Sequence, residues 1–166
     1  MLHLKPLHQD AIPAALIKAE RYRLLNEPGQ AESICLDILA VDAANQPALV
    51  MLILALTDQF VEHAALLQRA RDVLPRLTGD YERAYYSGLI CERRAKAHLA
   101  QGGHGASQAA REWLKEALEH YAQAESVRPH GNDDPILRWN ACVRLLERHP
   151  EVASLDDPRD RMMMLE

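Results

Sequence analysis

Apolar residues recur along most of this chain at intervals of three and four, which is the spacing of one face of an α-helix. The pattern predicts seven helices, placed near residues 11–25, 30–42, 47–59, 61–74, 81–101, 107–127 and 135–148. Turn-forming pairs such as Thr78-Gly79 and Gly102-Gly103 fall between these segments. β-branched and aromatic residues are sparse, and no Asn-Gly or Asp-Gly turn joins alternating segments. We therefore expect an all-α fold.

Short helices joined by short turns suggest stacked hairpins, which appear in a sequence as an internal repeat. The clearest unit carries Ala117, Tyr121, Ala124 and Pro129. Small residues at such spacing let two helices pack closely, and a proline ends the unit. This set resembles the second helix of a tetratricopeptide repeat (TPR).

The same frame extends in both directions along the chain. A first unit carries the corresponding residues Ala19, Tyr22, Asn26, Ala31, Cys35 and Ile38. The first helix of a second unit has Leu49, Leu52, Ile53 and Leu56. Near the C-terminus, Trp139, Cys142, Val143 and Leu146 resemble the opening of a fourth unit. No second helix is predicted after it, so it resembles the capping helix that covers the last apolar face of a repeat array.

The resemblance implies a right-handed superhelical stack of about three TPR-like helix hairpins plus a C-terminal capping helix. Its boundaries are an N-terminal arm at 1–11, a TPR-like domain at 12–150 and a C-terminal tail at 151–166. Within the domain, the repeats are 12–45, 46–80 and 81–131, followed by the capping helix 132–150. The third unit is longer than the roughly 34 residues of a typical repeat. It therefore predicts an elongated hairpin, with the glycine-rich turn 102–106 exposed at its tip.

In the TPR family the first helix of each repeat lines a concave groove, so the resemblance implies that a partner peptide or protein binds there. The frame nominates groove residues that combine apolar positions with charged edges. They are Leu16, Glu20, Arg23, Val50, Leu54, Asp58, Tyr85, Leu89, Glu92, Arg93, Asn140 and Arg144. Tyr85 beside Leu54 and Leu89 is the predicted anchor for a peptide.

Family members that clamp a C-terminal carboxylate carry lysine, asparagine and arginine at fixed groove sites. Here Leu16 and Glu20 occupy the two first-helix sites. The resemblance therefore disfavours capture of a carboxylate tail.

Charge and cysteine content narrow the class of protein further. With 19 Lys and Arg against 24 Asp and Glu, the net charge is −5, so nucleic acid is not an expected partner. The longest apolar run, 49–56, is far shorter than the roughly 20 residues of a membrane span. Three widely separated cysteines fit neither a disulfide framework nor a zinc site. We expect a cytoplasmic protein, and the Ala- and Arg-rich composition suggests a bacterial one.

No pattern for catalysis, a metal or a cofactor is found. His98 and His104 lack the helical spacing of a metal pair. In the repeat frame, the three cysteines fall at inward packing positions, where thiols are unreactive. The glycines of 102–105 are not followed by the Gly-Lys-Ser/Thr of a phosphate-binding loop. We therefore expect no enzyme, no cofactor and no metal.

Three hypotheses for the function follow. The leading one is a non-catalytic protein–protein interaction scaffold. The alternative is an enzyme or small-ligand-binding helical protein that uses Tyr85, Glu92, Arg93 and the Asp133-Asp134 loop. The third is a self-assembling structural subunit, a homo-oligomer. The tail, with its apolar end 162–165, is expected either to dock on a repeat face or to fray.

Overall fold

The computed structural model describes residues 1–153, and these residues form helices and no strand. The prediction of an all-α fold is therefore confirmed for this part of the chain. Its eight α-helices are α1 (Ile12–Leu24), α2 (Pro28–Val41), α3 (Gln46–Thr57), α4 (Leu66–Val73), α5 (Asp80–Gln101), α6 (Ala106–Ser126), α7 (Asp134–Arg148) and α8 (Pro150–Ala153). Short 3-10 turns occupy Gln9–Ala11 and Leu74–Arg76. The apolar tail end at 162–165 lies outside the described residues.

Local sequence signals explain where several helices begin. A proline stands in the first turn of α1, α2, α3 and α7, where its missing N–H has no helical partner to lose. The Asn45 side chain accepts a hydrogen bond from the backbone N–H of Ala48 at 3.0 Å and so caps α3.

Two helices differ from the sequence-based expectation. The fourth helix begins at Leu66 rather than near residue 61, because residues 58–65 form successive tight turns. Burial of Phe60, which is 1% exposed, holds these turns against the core. The second difference is α8, which follows the expected last helix and buries Val152 completely.

Helices adjacent along the chain contact one another, and α3 also contacts both α1 and α5. Two clusters of buried residues result. The first spans α1 to α5, and the second joins α5, α6, α7 and α8. Helix α5 belongs to both, because Leu89 and Ile90 enter the first cluster while Cys91 and Ala95 enter the second. Successive residues of a helix point about 100° apart, which lets one helix serve two cores.

The predicted third hairpin consists of the two longest helices of the described residues, with 22 residues in α5 and 21 in α6. Gly102, Gly103 and Gly105 in its exposed turn all have positive φ angles. Its added length is covered on one side. Leu99 of α5 packs on the second core cluster together with Leu145 and Leu146 of α7 and Val152 of α8.

Candidate functional site

One carboxylate ties together the helices that open the three predicted hairpins. Asp58 caps the C-terminus of α3. It accepts a hydrogen bond from Arg23 Nε of α1 at 2.7 Å and a second from Arg93 Nη1 of α5. All three side chains are partly buried. The structure thus brings together Arg23, Asp58 and Arg93, three of the predicted groove residues.

A second carboxylate, Glu92, ties α5 to α6 and α7. Its side chain is 1% exposed. It accepts hydrogen bonds from Tyr121 Oη at 2.7 Å, Lys96 Nζ at 2.5 Å and Arg138 Nη1 at 3.5 Å. Arg138 also donates through Nε to the Tyr85 hydroxyl oxygen at 3.4 Å. Glu92 is therefore an internal link between helices.

The partners of Glu92 decide its ionisation. Burial by itself would raise the pKa of this carboxyl group, but hydrogen bonds from Lys96 and Tyr121 and the charges of Lys96 and Arg138 outweigh burial and lower the pKa below its ordinary value. Burial, together with the neighbouring Glu92 carboxylate, raises the pKa of the Tyr121 hydroxyl. At neutral pH the pair is an ionised carboxylate accepting from a neutral tyrosine.

A depression of about 350 Å³ opens between the C-terminal end of α3, α5 and α7. Its lining combines an apolar surface with charged side chains: Thr57, Asp58, Phe60, Val61, Arg93, Lys96, Ala97, Ala100 and Arg138. A neighbouring depression of about 300 Å³ is lined by Lys96, Ala141, Arg144, Leu145 and Arg148. Lys96 borders both. We call the two together the basic cleft.

The apolar groove residues divide into partly buried and buried positions. Leu16, Val50 and Leu54 are partly buried and pack against the first core cluster. Leu89 is only 1% exposed and lies inside that cluster, so it offers no surface to a partner.

Tyr85 packs on the second core cluster, whereas its predicted companions Leu54 and Leu89 belong to the first. Its ring lies 5.7 Å from that of Tyr81, 5.1 Å from that of Tyr86 and 5.9 Å from that of Tyr121, measured between centroids. The residues of the predicted anchor are therefore divided between the two core clusters.

The polar groove residues also differ in accessibility. Glu20, Asn140 and Arg144 are exposed, whereas Arg23, Asp58 and Arg93 form the partly buried bridge and Glu92 is buried. A partner that approaches this face would meet the exposed members first.

Sequence reasoning did not select Arg138 or Lys96 as site residues. A signal for Lys96 was available, since it follows Glu92 by four residues, the spacing of an ion pair on one helix face. Glu92 also falls on an inward position of α5, where a carboxylate requires a partner. Nothing in the local sequence connects Arg138 to Glu92, because that contact depends on how α7 packs in the folded chain.

The residues of the enzyme alternative are only partly brought together. Tyr85 and Glu92 both contact Arg138, but Arg93 turns to Asp58 instead. Asp133 pairs with Arg128 at 3.2 Å, and the backbone N–H of Asp134 donates to Asn132 Oδ1. Asp134 is the first residue of α7.

The three cysteines, Cys35, Cys91 and Cys142, are buried free thiols. Burial raises the pKa of each to about 12, so they are protonated at neutral pH. Within residues 1–153, no group of three or more His, Cys, Asp or Glu side chains is placed to hold a metal ion. In the same residues no helix is long and apolar enough to cross a membrane.

Comparison of the chain with protein-family models, with curated proteins and with solved structures finds no match. The resemblance to tetratricopeptide repeats therefore rests on the residues of this chain alone.

Proposed function

We propose that this protein is a non-catalytic interaction scaffold, a right-handed stack of about three TPR-like hairpins with a capping helix. In this proposal a partner protein or peptide binds the face made by α1, α3, α5 and α7. The supporting observation is that α3 contacts both α1 and α5, and that Asp58 bridges Arg23 of α1 and Arg93 of α5. The helices that open successive hairpins are thus neighbours, as an interaction groove requires.

The composition of this face supports binding. Leu16, Val50 and Leu54 are apolar and partly accessible, Glu20 lies exposed on α1, and Arg144 lies exposed on α7. An apolar centre with a charged rim is typical of protein interfaces. The free thiols of the three cysteines support a reducing compartment, so the proposal places the protein in a bacterial cytoplasm.

The enzyme alternative is less well supported. It needs accessible groups that converge on one point, whereas the Glu92 side chain is 1% exposed and Asp133 is paired elsewhere. Self-assembly remains the third candidate, and apolar side chains on the outer side of α1, such as Ile17 at 61% exposure, are where a second copy would bind. The mass in solution, measured by light scattering, tests that candidate.

Site-specific photo-crosslinking in the native cell tests the scaffold proposal. A photoreactive amino acid at Glu20 or Asn140 is expected to form a defined adduct with a partner protein, because both residues are exposed on the proposed face. Leu36 of α2, 46% exposed, is the matched control, because it belongs to the second helix of its hairpin. Adducts at Leu36 alone, or at none of these positions, would reject the proposed face.

A further inference from the structure

We infer that the basic cleft binds an acidic peptide segment, whose carboxylates meet Lys96, Arg138 and Arg144 while its apolar side chains rest on the lining between them. This inference rests on the proposed scaffold function and adds the chemistry of the partner. Two features of the cleft support the inference: its excess of positive charge and its apolar lining.

The charge network around the cleft is unbalanced. Asp58 forms ion pairs with two cations, Arg23 and Arg93. Glu92 forms ion pairs with two more, Lys96 and Arg138. These two carboxylates therefore leave two positive charges of the network without a matching negative charge. Lys96 is 45% exposed and Arg138 33% exposed, so both can turn toward a bound anion without leaving Glu92.

The excess extends along α7. Arg144 and Arg148, both exposed, line the second depression opposite Lys96. This accumulation of cations occurs in a chain of net charge −5. A local excess of positive charge on a protein of negative net charge selects partners by charge complementarity.

The lining distinguishes a peptide from a simple ion. The accessible apolar part of this lining is Ala100, which is exposed, and Val61, which is 48% exposed, whereas Ala97 and Phe60 lie buried beneath it. The volume of about 350 Å³ is in the range that holds small ligand groups. A segment in which acidic and aliphatic residues alternate would fill both kinds of surface.

Single-stranded nucleic acid is the competing occupant of a cationic cleft. It would neutralise the same side chains, but it binds through stacked bases and a long run of phosphates. The accessible rings of such a platform are missing from the residues that line the cleft, where Phe60 is the only aromatic and is 1% exposed. The net charge of −5 also opposes a polyanion more than a short acidic segment.

Fluorescence anisotropy of the full chain tests the inference. The probe is a labelled peptide of alternating glutamate and leucine with an amidated C-terminus. The same peptide with lysine in place of glutamate and a single-stranded DNA oligomer of equal charge are the comparisons. We expect saturable binding of the acidic peptide alone, weakened by added salt because the contacts are ionic.

The double variant Lys96→Gln/Arg144→Gln should weaken binding of the acidic peptide roughly tenfold, since two partly exposed ion pairs are lost. Lys18→Gln/Arg21→Gln on α1 is the matched control, because both residues are exposed and neither lines the cleft. Circular dichroism and thermal melting establish that each variant is folded. If the double variant does not fold, peptide binding is measured with the single variants Lys96→Gln and Arg144→Gln instead.

Equal affinity of the two double variants would overturn the inference, as would binding of the lysine peptide or preferential binding of the DNA. The scaffold proposal is judged separately by the crosslinks at Glu20 and Asn140. If a partner is crosslinked at those residues but the acidic peptide does not bind the cleft, the scaffold proposal holds and the acidic ligand is rejected.

Discussion

Gly88 of α5 is required by its contact with α6 rather than by its backbone conformation. A Cβ atom at this position would lie 2.7 Å from Cε1 of Tyr121. The tyrosine cannot easily move aside, because it is 1% exposed and its hydroxyl donates to Glu92. Gly88→Ala should therefore lower the free energy of unfolding by about 1–3 kcal/mol in urea denaturation, the usual effect of overpacking a core.

The control for this prediction is Gly29→Ala in α2, where the nearest atom to an added Cβ is Gln59 Oε1 at 3.9 Å. Alanine favours the helix over glycine by up to about 1 kcal/mol, so this variant should be neutral or stabilising. If Gly88→Ala were equally benign, the close approach of α5 and α6 described above would be wrong.

Glu92 makes the free energy of unfolding depend on pH in the acid range. Its pKa in the folded protein is lower than the ordinary value of 4.5, so the ionised carboxylate stabilises the fold above that value. This contribution is lost as the pH falls through the lowered pKa. Wild type should thus lose more stability than Glu92→Gln between neutral pH and about pH 3, measured by urea unfolding at each pH. Glu119→Gln, on the exposed side of α6, is the control and should follow wild type.

At the scale of helices, the sequence predicts most of what is observed, and the exceptions have physical causes. Helices α6 and α7 carry regular apolar stripes bounded by turn formers, and local pattern suffices to find them. The start of the fourth helix is missed because burial of Phe60, a tertiary contact, favours tight turns over helix in 58–65. Helix α8 is missed because four residues are too few to show a period.

The candidate site is predicted less completely than the helices. The repeat frame selects Arg23, Asp58 and Arg93 as one surface, and they do meet. It also selects Leu89 and Glu92, which are buried, because the frame fixes a position along the helix but not how closely the next helix packs over it. The pairing of Arg138 with Glu92 depends on that packing.

Helix α8 is short, yet it closes the end of the second core. Val152 is fully buried among residues of α5, α6 and α7. Val152→Ala should lower the melting temperature, with a loss of about 1–3 kcal/mol typical of removing buried methyl groups. The matched variant Val127→Ala removes the same methyl groups from a side chain that is 48% exposed, and should have little effect. Equal melting temperatures for the two variants would show that α8 is not docked.

Over residues 1–153, two core clusters share one long helix. In a chain built this way, the stability of each helix depends mainly on the helices next to it, as in repeat proteins. Asp58 is placed to strengthen that transmission, because it joins α1, at one end of the first cluster, to α5, which belongs to both clusters.

Asp58→Asn tests this coupling, because the amide keeps the size of the carboxylate but removes the charge that Arg23 and Arg93 share. Stability should fall by about 1–2 kcal/mol, the lower part of the range for hydrogen bonds to charged groups, because the side chains are partly solvated. Hydrogen exchange measured by mass spectrometry should show the loss mainly in α1, whose other contacts are with α2 and α3, and little in α6. Asp72→Asn is the control, because Asp72 is exposed on α4 and bonded to Gln68 one turn away. It should change neither the stability nor the hydrogen exchange of α1. Equal loss of protection in α1 and α6 would mean that the chain unfolds as one unit and that Asp58 does not act as a local tether.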